Sequence, residues 1–138
     1  MTSARTCHRA IRRLDGRVLV IGGLGKTYYP TDDPAAWVRS AEIYSPVTGT
    51  WSTTGSMSTL RYSDDCRDGP SPTLLSDGRV VVAGGRAANV SFASTEVYDP
   101  ATGNWSITGS MTTSRYGYAA VTLLDGRVLV SGGYHSLA

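Results

Sequence analysis

The chain has 138 residues, which suits a single domain, and 41% of them are apolar, enough for a hydrophobic core. Charged residues make up 17% and the net charge is +2, with the lysines and arginines scattered, so we expect no nucleic-acid partner. No apolar run approaches the ~20 residues of a membrane span, and the N-terminus lacks the apolar core of a signal peptide. The 16 glycines and eight tyrosines, with many β-branched residues, favour an all-β fold.

The chain has two cysteines, Cys7 and Cys66, and they do not show whether it resides in a reducing or an oxidising compartment. Neither has the CxxC or histidine-rich context that is typical of a zinc site. They are either free thiols in strands or loops, or a disulfide formed in an oxidising compartment, and the sequence does not decide between these alternatives. We predict no metal site and no cofactor in this chain.

A ten-residue phrase occurs three times along the chain. It reads LDGRVLVIGG at 14–23, SDGRVVVAGG at 76–85 and LDGRVLVSGG at 124–133. A second phrase, AEIYSPVTGTWSTTGSM at 41–57, returns at 95–111 as TEVYDPATGNWSITGSM. Self-similarity at a period near 50 residues is typical of repeat architectures.

The two phrases alternate in a fixed order, so we predict two full units and a half unit, at residues 1–56, 57–110 and 111–138. Each full unit is expected to form four antiparallel strands, A to D. Strand A ends at an Asp-Gly pair, the strongest short hairpin signal, which predicts a type I′ turn with positive φ at both central residues. Strand B, such as Arg17–Gly23, is apolar on both faces and must be covered on both. Strand C is AEIYS or TEVYD, and strand D carries a tryptophan that fills space between units.

Residues that recur at one position of the repeat are assigned structural roles. The Asp-Gly turn and the Gly-Gly pair that closes strand B need positive φ or a close backbone approach. This structural set is Asp15, Gly16, Gly22, Gly23, Asp77, Gly78, Gly84, Gly85, Asp125, Gly126, Gly132, Gly133, Glu42, Tyr44, Trp51, Glu96, Tyr98 and Trp105. Two arginine series, Arg5, Arg61 and Arg115, and Arg17, Arg79 and Arg127, are given the same role.

The ordered Asp-Gly-Arg turn, Gly-Gly pair, Glu-x-Tyr-x-Pro strand and tryptophan resemble the kelch repeat, in the variant of bacterial proteins and the galactose oxidase family. The resemblance implies kelch-type β-propeller blades, with strand A innermost and strand D outermost. About two and a half blades are present, an incomplete ring, whereas propellers typically use about 4 to 8. Because Met1 stands where Met57 and Met111 stand in the repeat, we expect a fragment of a larger propeller. Its partners would then be the remaining blades; a free-standing domain that self-associates is the alternative.

Loop lengths distinguish the two faces of such blades. The A–B and C–D turns lie on one face, and their sequences barely change between units. The B–C and D–A loops lie on the other face and vary: Gly23 to Glu42 spans 19 positions, against 11 from Gly85 to Glu96. The D–A loop that enters the second unit is also the longer one, with 16 positions from its arginine to the turn aspartate against 10 in the third unit.

The two long loops contain the candidate binding residues. Aromatic rings beside carboxylates can stack on a sugar or a peptide; the alternative is a plain surface loop whose rings pack back on the blade. Clustered carboxylates can bind Ca²⁺, but their spacing here matches no EF-hand loop, and the alternative is a solvated turn. The candidates are Lys26, Tyr28, Tyr29, Asp32, Asp33, Trp37 and Arg39 in the first loop and Asp64, Asp65 and Asp68 in the second.

The sequence favours a binding scaffold over an enzyme. We expect a non-enzymatic segment that binds a protein or a carbohydrate through the B–C and D–A loops, without catalytic residues. The alternative is part of a galactose oxidase-like copper-radical oxidase, because the family that the chain resembles holds copper with two Tyr and two His and has a Tyr–Cys crosslink. Those ligands would lie mostly outside this chain. Only His8 and His135 are present here, and Tyr134-His135 follows strand B, whereas the family's Tyr-His pair precedes strand A. An oxidase parent would be secreted, but the localisation of this chain stays open.

Overall fold

The fold was analysed in a computed structural model that describes residues 1–25, 36–62, 66–67, 69, 71–87 and 89–136. The regular elements of this part of the chain are short β-strands, which confirms the predicted all-β class. The strands are β1 (Arg9–Arg12), β2 (Val18–Ile21), β3 (Ala41–Ser45), β4 (Thr50–Thr54), β5 (Pro72–Leu74), β6 (Val80–Ala83), β7 (Arg86–Ala87), β8 (Val90–Ser91), β9 (Thr95–Asp99), β10 (Asn104–Thr108), β11 (Ala119–Thr122) and β12 (Val128–Ser131).

Two four-stranded antiparallel sheets carry most of these strands, in the orders β1-β2-β3-β4 and β5-β6-β9-β10. Their registers repeat: Val20 lies opposite Glu42 in the first sheet, and Val82 lies opposite Glu96 in the second. β11 and β12 form a hairpin, which packs on the second sheet through a hydrogen bond of 2.6 Å from the Thr122 hydroxyl to the Leu74 carbonyl. The sequence did not predict the small β7–β8 hairpin, which lies between β6 and β9.

Each Asp-Gly turn is a three-residue loop, so the predicted type I′ turn is wrong. In the first copy the Gly16 N–H donates to the Arg13 carbonyl at 3.1 Å, and the Arg13 N–H donates to the Arg17 carbonyl at 2.8 Å. Gly16 has a φ of +81°, whereas Asp15 is not among the residues with positive φ, which defines a type I turn closed by a left-handed glycine. The Asp15 carboxylate favours this turn because it accepts hydrogen bonds from the Arg17 N–H and Nε, at 3.1 and 2.8 Å.

The main hydrophobic core lies between the two four-stranded sheets. All four residues of β6 are buried, and so are three of the four in β2, as expected for strands covered on both faces. Because both sheets contribute to one cluster, each covers the apolar face of the other. The buried cluster consists of Leu19, Ile21, Ala41, Ile43, Met57, Val80, Val82 and Tyr98.

Trp105 of strand D connects the two sheets at their outer edge. Its Nε1 donates to the Gly55 carbonyl at 3.0 Å, and the Gly55 N–H donates to the Gly103 carbonyl at 2.9 Å. The ring also packs on Tyr98, with centroids 5.3 Å apart. Trp105 therefore lies between neighbouring sheets and fills the space that the sequence assigned to the tryptophan of strand D.

Candidate binding face

The B–C and D–A loops lie together at one end of the sheets. The Met57 N–H donates to the Arg39 carbonyl at 3.1 Å, and the Tyr62 N–H donates to the Arg86 carbonyl at 2.7 Å. Backbone bonds thus connect the D–A segment after β4 to the B–C loops of both sheets. We call this end the loop face; it consists of the described residues in segments 22–40, 55–71, 84–94 and 109–118.

A buried Arg–Glu pair fixes the loop face to the first sheet. Arg5 Nη2 donates to Glu42 Oε1 at 2.7 Å, and each side chain is 1% exposed. Arg5 Nη1 donates to the carbonyls of Gly22 and Ser40, at 3.1 and 2.9 Å. Glu42 also accepts a bond of 2.6 Å from the Thr2 N–H. The guanidinium therefore joins the two ends of the first B–C loop, and its charge is compensated where water is excluded.

The second sheet repeats this arrangement with Arg61 and Glu96, which lie 3.1 Å apart. Glu96 also accepts hydrogen bonds from the backbone N–H groups of Ser58 and Thr59, at 2.6 and 3.1 Å. Burial raises the pKa of Glu96, but these hydrogen bonds and the one from Arg61 outweigh it and hold the pKa below its ordinary value. The carboxylate is therefore ionised at neutral pH, and both arginines act in the structural way that their recurrence predicted.

A disulfide between Cys7 and Cys66 connects the start of β1 to the D–A loop that enters the second sheet. Their Cα atoms lie 4.8 Å apart across a sequence separation of 59 residues. Both cysteines have left-handed backbone conformations, with φ of +56° and +61°. Gly117, at the position of Cys7 in the third copy, has a φ of +62°. Of the two alternatives that the sequence left open, the structure shows the disulfide.

Trp37 belongs to the first B–C loop, but its side chain points into the protein and the residue is only 5% exposed. Its ring stacks on Tyr62 with centroids 4.6 Å apart, and Leu24 and Ala36 complete a second small core. Of the candidates from the sequence, Trp37 is thus positioned as a packing residue under the surface. Arg39 lies on the surface, where its Nη1 donates to the Ser58 carbonyl at 2.8 Å.

Most candidate binding residues from the sequence lie outside the described residues. By sequence they fall in the two long loops, and their roles remain predictions. These residues are Lys26, Tyr28, Tyr29, Asp32, Asp33, Asp64, Asp65 and Asp68.

A cavity of about 430 Å³ opens on the loop face, at the starts of the inner strands β1, β5 and β11. Its lining includes Arg9 and Arg67, and the Arg9 guanidinium donates to the Arg67 carbonyl. Pro72 and Tyr118 line it as well, and the Tyr118 hydroxyl donates to the Ala83 carbonyl. Burial raises the pKa of Tyr118, so its phenol is neutral at neutral pH. The cavity therefore offers a cationic donor from β1 and the ring of Tyr118 before β11, whose hydroxyl oxygen can still accept a hydrogen bond.

Sequence reasoning did not select this cavity. The available signal was the unusual polarity of the first strand A, which reads RAIRR where the third copy reads AAVTL. Nothing in the sequence marks Arg67 as a site residue, because it comes close to Arg9 only in the folded structure. His8 is half-buried and its Cβ lies against Gly23, whereas His135 is exposed. Among the described residues, no three His, Cys, Asp or Glu side chains are grouped as metal ligands would be.

The sequence model of the Kelch motif matches residues 5–58 and 72–112. The F-box/kelch-repeat protein SKIP4 of Arabidopsis thaliana is 31% identical over 103 residues, 75% of this chain and 24% of that protein. A second F-box/kelch-repeat protein of this plant is 31% identical over 123 residues, 87% of this chain and 29% of its own length. Spermatocyte protein spe-26 of Caenorhabditis elegans is 31% identical over 86 residues, 62% of this chain and 14% of that protein. The chain spans less than a third of each relative.

A solved fungal alcohol oxidase of the AA5 family, in complex with copper, superposes with a TM-score of 0.71. The match covers 97% of this chain and 28% of the oxidase at 19% identity, so the likeness shows the fold alone. In the part of the chain that the structure describes, no helix is long and apolar enough to cross a membrane. The repeated sheets, their in-register buried pairs and the matched motif together show that this chain belongs to the Kelch motif family and is built from blades of a kelch-type β-propeller.

Proposed function

We propose that this chain is a non-enzymatic kelch-repeat segment that binds a protein or a carbohydrate through its loop face. Kelch repeats commonly act as protein-interaction scaffolds. The observation that carries the proposal is the cavity of about 430 Å³ at the inner edge of that face. It is built by loops and strand ends on a rigid framework of sheets, the usual setting of a binding site.

The lining of the cavity suits a ligand with oxygen acceptors. Arg9 supplies a guanidinium group, and guanidinium groups pair with carboxylates in a planar, bidentate geometry. Tyr118 adds an aromatic ring on which a ligand can pack. An acidic side chain of a protein and an acidic sugar both present such acceptors, so the proposal covers both classes of ligand.

A paired set of variants tests the proposal. The immobilised chain is screened against a peptide display library and a glycan array, and each hit is titrated by biolayer interferometry. Arg9→Ala, in the cavity, is expected to weaken a true loop-face ligand about tenfold or more. Arg127→Ala removes an exposed arginine of an A–B turn on the opposite face and is expected to leave affinity unchanged. A ligand that is weakened only by Arg127→Ala would refute the proposed face.

The second candidate is a segment of a copper-radical oxidase, which the fold likeness to the fungal oxidase supports. The disulfide engages both Cys7 and Cys66, so neither sulfur is available for the Tyr–Cys crosslink that the family resemblance implies. Titration of the chain with Cu²⁺, followed by electron paramagnetic resonance, separates the two functions. Stoichiometric copper bound at one defined site would favour the oxidase, and only weak, heterogeneous binding would favour the scaffold.

A further inference from the structure

A disulfide and a hydrogen bond join strand β1 to the long D–A loop at the edge of the cavity. Arg67 and Gly69, in the D–A loop that enters the second sheet, line the cavity together with Arg9. The Arg9 Nη2 donates to the Arg67 carbonyl, and the disulfide joins Cys7 to Cys66. Cys66 directly precedes Arg67, and Cys7 precedes Arg9 by two residues. The cross-link therefore lies beside the hydrogen bond that orients the guanidinium.

The Arg9 side chain also packs closely on the backbone of this loop. A Cβ at Gly69 would lie 3.3 Å from the Arg9 Nε and 3.4 Å from its Nη2, so the guanidinium lies directly against the glycine. A guanidinium has five N–H donors, and the bond to the Arg67 carbonyl uses one of them. The loop backbone thus sets the orientation in which Arg9 lines the cavity.

Cys7 occupies a backbone position that suits glycine. It has a φ of +56°, and Gly117, at the same position of the third copy, has a φ of +62°. This left-handed conformation is unfavourable for a residue with a Cβ. The third copy has no cysteine, and its D–A loop is the shorter one, with 10 positions against 16 from its arginine to the turn aspartate. The cross-link therefore occurs, against the backbone preference, where the longer loop meets β1.

We propose that Cys7 and Cys66 are positioning residues of the cavity: their disulfide holds the loop backbone against Arg9 and thereby strengthens the binding of a carboxylate ligand. The inference rests on the proposed function, in which this cavity is the binding site. Without the cross-link, the orientation of Arg9 depends on a hydrogen bond to a long loop, and a ligand must order that loop as it binds. Such ordering lowers affinity, whereas a disulfide organises the loop in advance.

The cavity is then sensitive to reduction of the disulfide. Cys7 and Cys66 are both half-buried, so a small dithiol can reach the sulfur atoms. One thiolate of the dithiol attacks a sulfur of the disulfide, and the S–S bond breaks. The second thiolate then displaces the cysteine from the mixed disulfide and closes the oxidised reductant. The dithiol has supplied two electrons and two protons, and Cys7 and Cys66 both end as thiols.

NMR relaxation of the full chain, labelled with nitrogen-15, tests the positioning role. The heteronuclear NOE of the Arg9 Nε–H is measured with the disulfide formed, after reduction by dithiothreitol and after reoxidation. We expect the NOE to fall on reduction and to recover on reoxidation, because the loop backbone no longer fixes the guanidinium in the reduced chain. Arg12, which is exposed on the same strand, is the matched control and should keep its NOE throughout.

A cross-link-free variant makes the result independent of the reductant. Cys7→Gly/Cys66→Ser keeps a residue that suits the left-handed backbone at position 7 and should show the low Arg9 NOE of the reduced chain. An Arg9 NOE that stays unchanged in the reduced chain and in the variant overturns the proposal. Loss of the near-ultraviolet circular dichroism of the folded chain in both also overturns it, because the disulfide would then hold the whole fold and not the cavity.

Ligand titrations show whether the disulfide acts through Arg9. Glucuronate is the carboxylate probe, glucose is its neutral match, and backbone amide shifts follow binding. We expect reduction to weaken glucuronate about threefold or more in the parent chain. In Arg9→Ala, reduction should change the affinity by less than about twofold, since two changes that act through one contact are not additive.

The two proposals fail in different ways. Equal weakening by reduction in the parent and in Arg9→Ala overturns the positioning role, because the disulfide would then act on the ligand without Arg9. If the oxidised parent binds glucuronate no better than glucose, a carboxylate site in the cavity is refuted. The NOE of Arg9 still decides in that case whether the disulfide positions its guanidinium.

Discussion

The guanidinium of Arg61 and the carboxylate of Glu96 form a salt bridge of 3.1 Å in which neither side chain is more than 1% exposed. The pair connects the D–A loop before β5 to strand β9, and one repeat earlier Arg5 and Glu42 do the same at 2.7 Å. In the third copy Arg115 holds the same position, and no carboxylate of the described residues pairs with it. The first two copies thus contain the ion pair, and the third supplies a matched arginine for comparison.

Loss of the buried arginine is expected to destabilise the fold strongly. Arg61→Leu leaves Glu96 as a buried charge without its cation, which costs about 3–5 kcal/mol in comparable pairs. Arg115→Leu is the matched control, since its guanidinium has no carboxylate partner in the described structure, and a change within about 0.5 kcal/mol is expected. Urea unfolding followed by tryptophan fluorescence measures both. Equal losses for the two variants would contradict a special role of the buried pair.

The buried glutamates are expected to make the chain sensitive to acid. Burial raises the pKa of Glu96 and of Glu42 in the folded state. The hydrogen bonds that each carboxylate accepts outweigh burial, so both pKa values lie below their ordinary value. Their contribution is fully present above the unfolded pKa of about 4.3 and is lost as the pH falls through the lower folded pKa. Melting temperatures between about pH 7 and about pH 3 should thus fall more steeply for the parent than for Glu96→Gln. Parallel curves would contradict this assignment.

The Cys7–Cys66 disulfide is expected to stabilise the D–A loop that enters the second sheet. Closure of a loop of 59 residues contributes about 4 kcal/mol in the chain-entropy model. Cys7→Ser/Cys66→Ser keeps the left-handed backbone strain and loses only the cross-link, so it should lower the free energy of unfolding by about 4 kcal/mol, which urea unfolding measures. The left-handed conformation costs a non-glycine residue about 1 kcal/mol at each position. Cys7→Gly/Cys66→Ser should therefore lose about 1 kcal/mol less, because Gly117 shows that glycine fits this backbone; equal losses would contradict a strained backbone at Cys7.

The repeated part of the fold was predictable because the same local signals occur in each copy. Strand C was predicted as AEIYS and TEVYD, and β3 and β9 have these bounds. The turn type was not predictable from Asp-Gly alone, because the bond from Arg17 to Asp15 selects a three-residue loop. Local propensity ranks the two-residue turn first and does not include this side-chain contact.

The candidate site was less predictable, because its residues meet only through tertiary structure. Cys7 and Cys66 are far apart in sequence, and no local pattern shows that the start of β1 meets the D–A loop that enters the second sheet. Trp37 stood in a variable loop and was interpreted as a ligand contact, yet Tyr62 of another loop covers its ring. Burial of a loop aromatic depends on such a neighbour, which sequence periodicity does not reveal.

Two glycines with positive φ are expected to tolerate alanine differently. Gly16, with a φ of +81°, has open space where a Cβ would lie, so Gly16→Ala should cost about 1 kcal/mol from the backbone alone. At Gly23, with a φ of +102°, a Cβ would lie 2.5 Å from the Thr6 carbonyl oxygen and would force the backbone before β1 to move. Gly23→Ala should therefore be the more destabilising variant by at least about 1 kcal/mol in thermal unfolding. A larger loss for Gly16→Ala would show that the turn, and not the close approach at Gly23, limits stability.

Trp37 is expected to act through packing rather than through ligand contact. Trp37→Ala removes a buried ring that stacks on Tyr62 and should cost about 3–5 kcal/mol in urea unfolding. Trp37→Phe keeps an aromatic ring and removes an indole N–H that has no hydrogen-bond partner among the described residues, so it should cost less than half as much. Trp51→Ala, in strand β4, is the control for loss of a half-buried tryptophan and should fall below Trp37→Ala. If Trp37→Phe proved as damaging as Trp37→Ala, the indole N–H would have to bind a partner, and the packing role would be insufficient to explain Trp37.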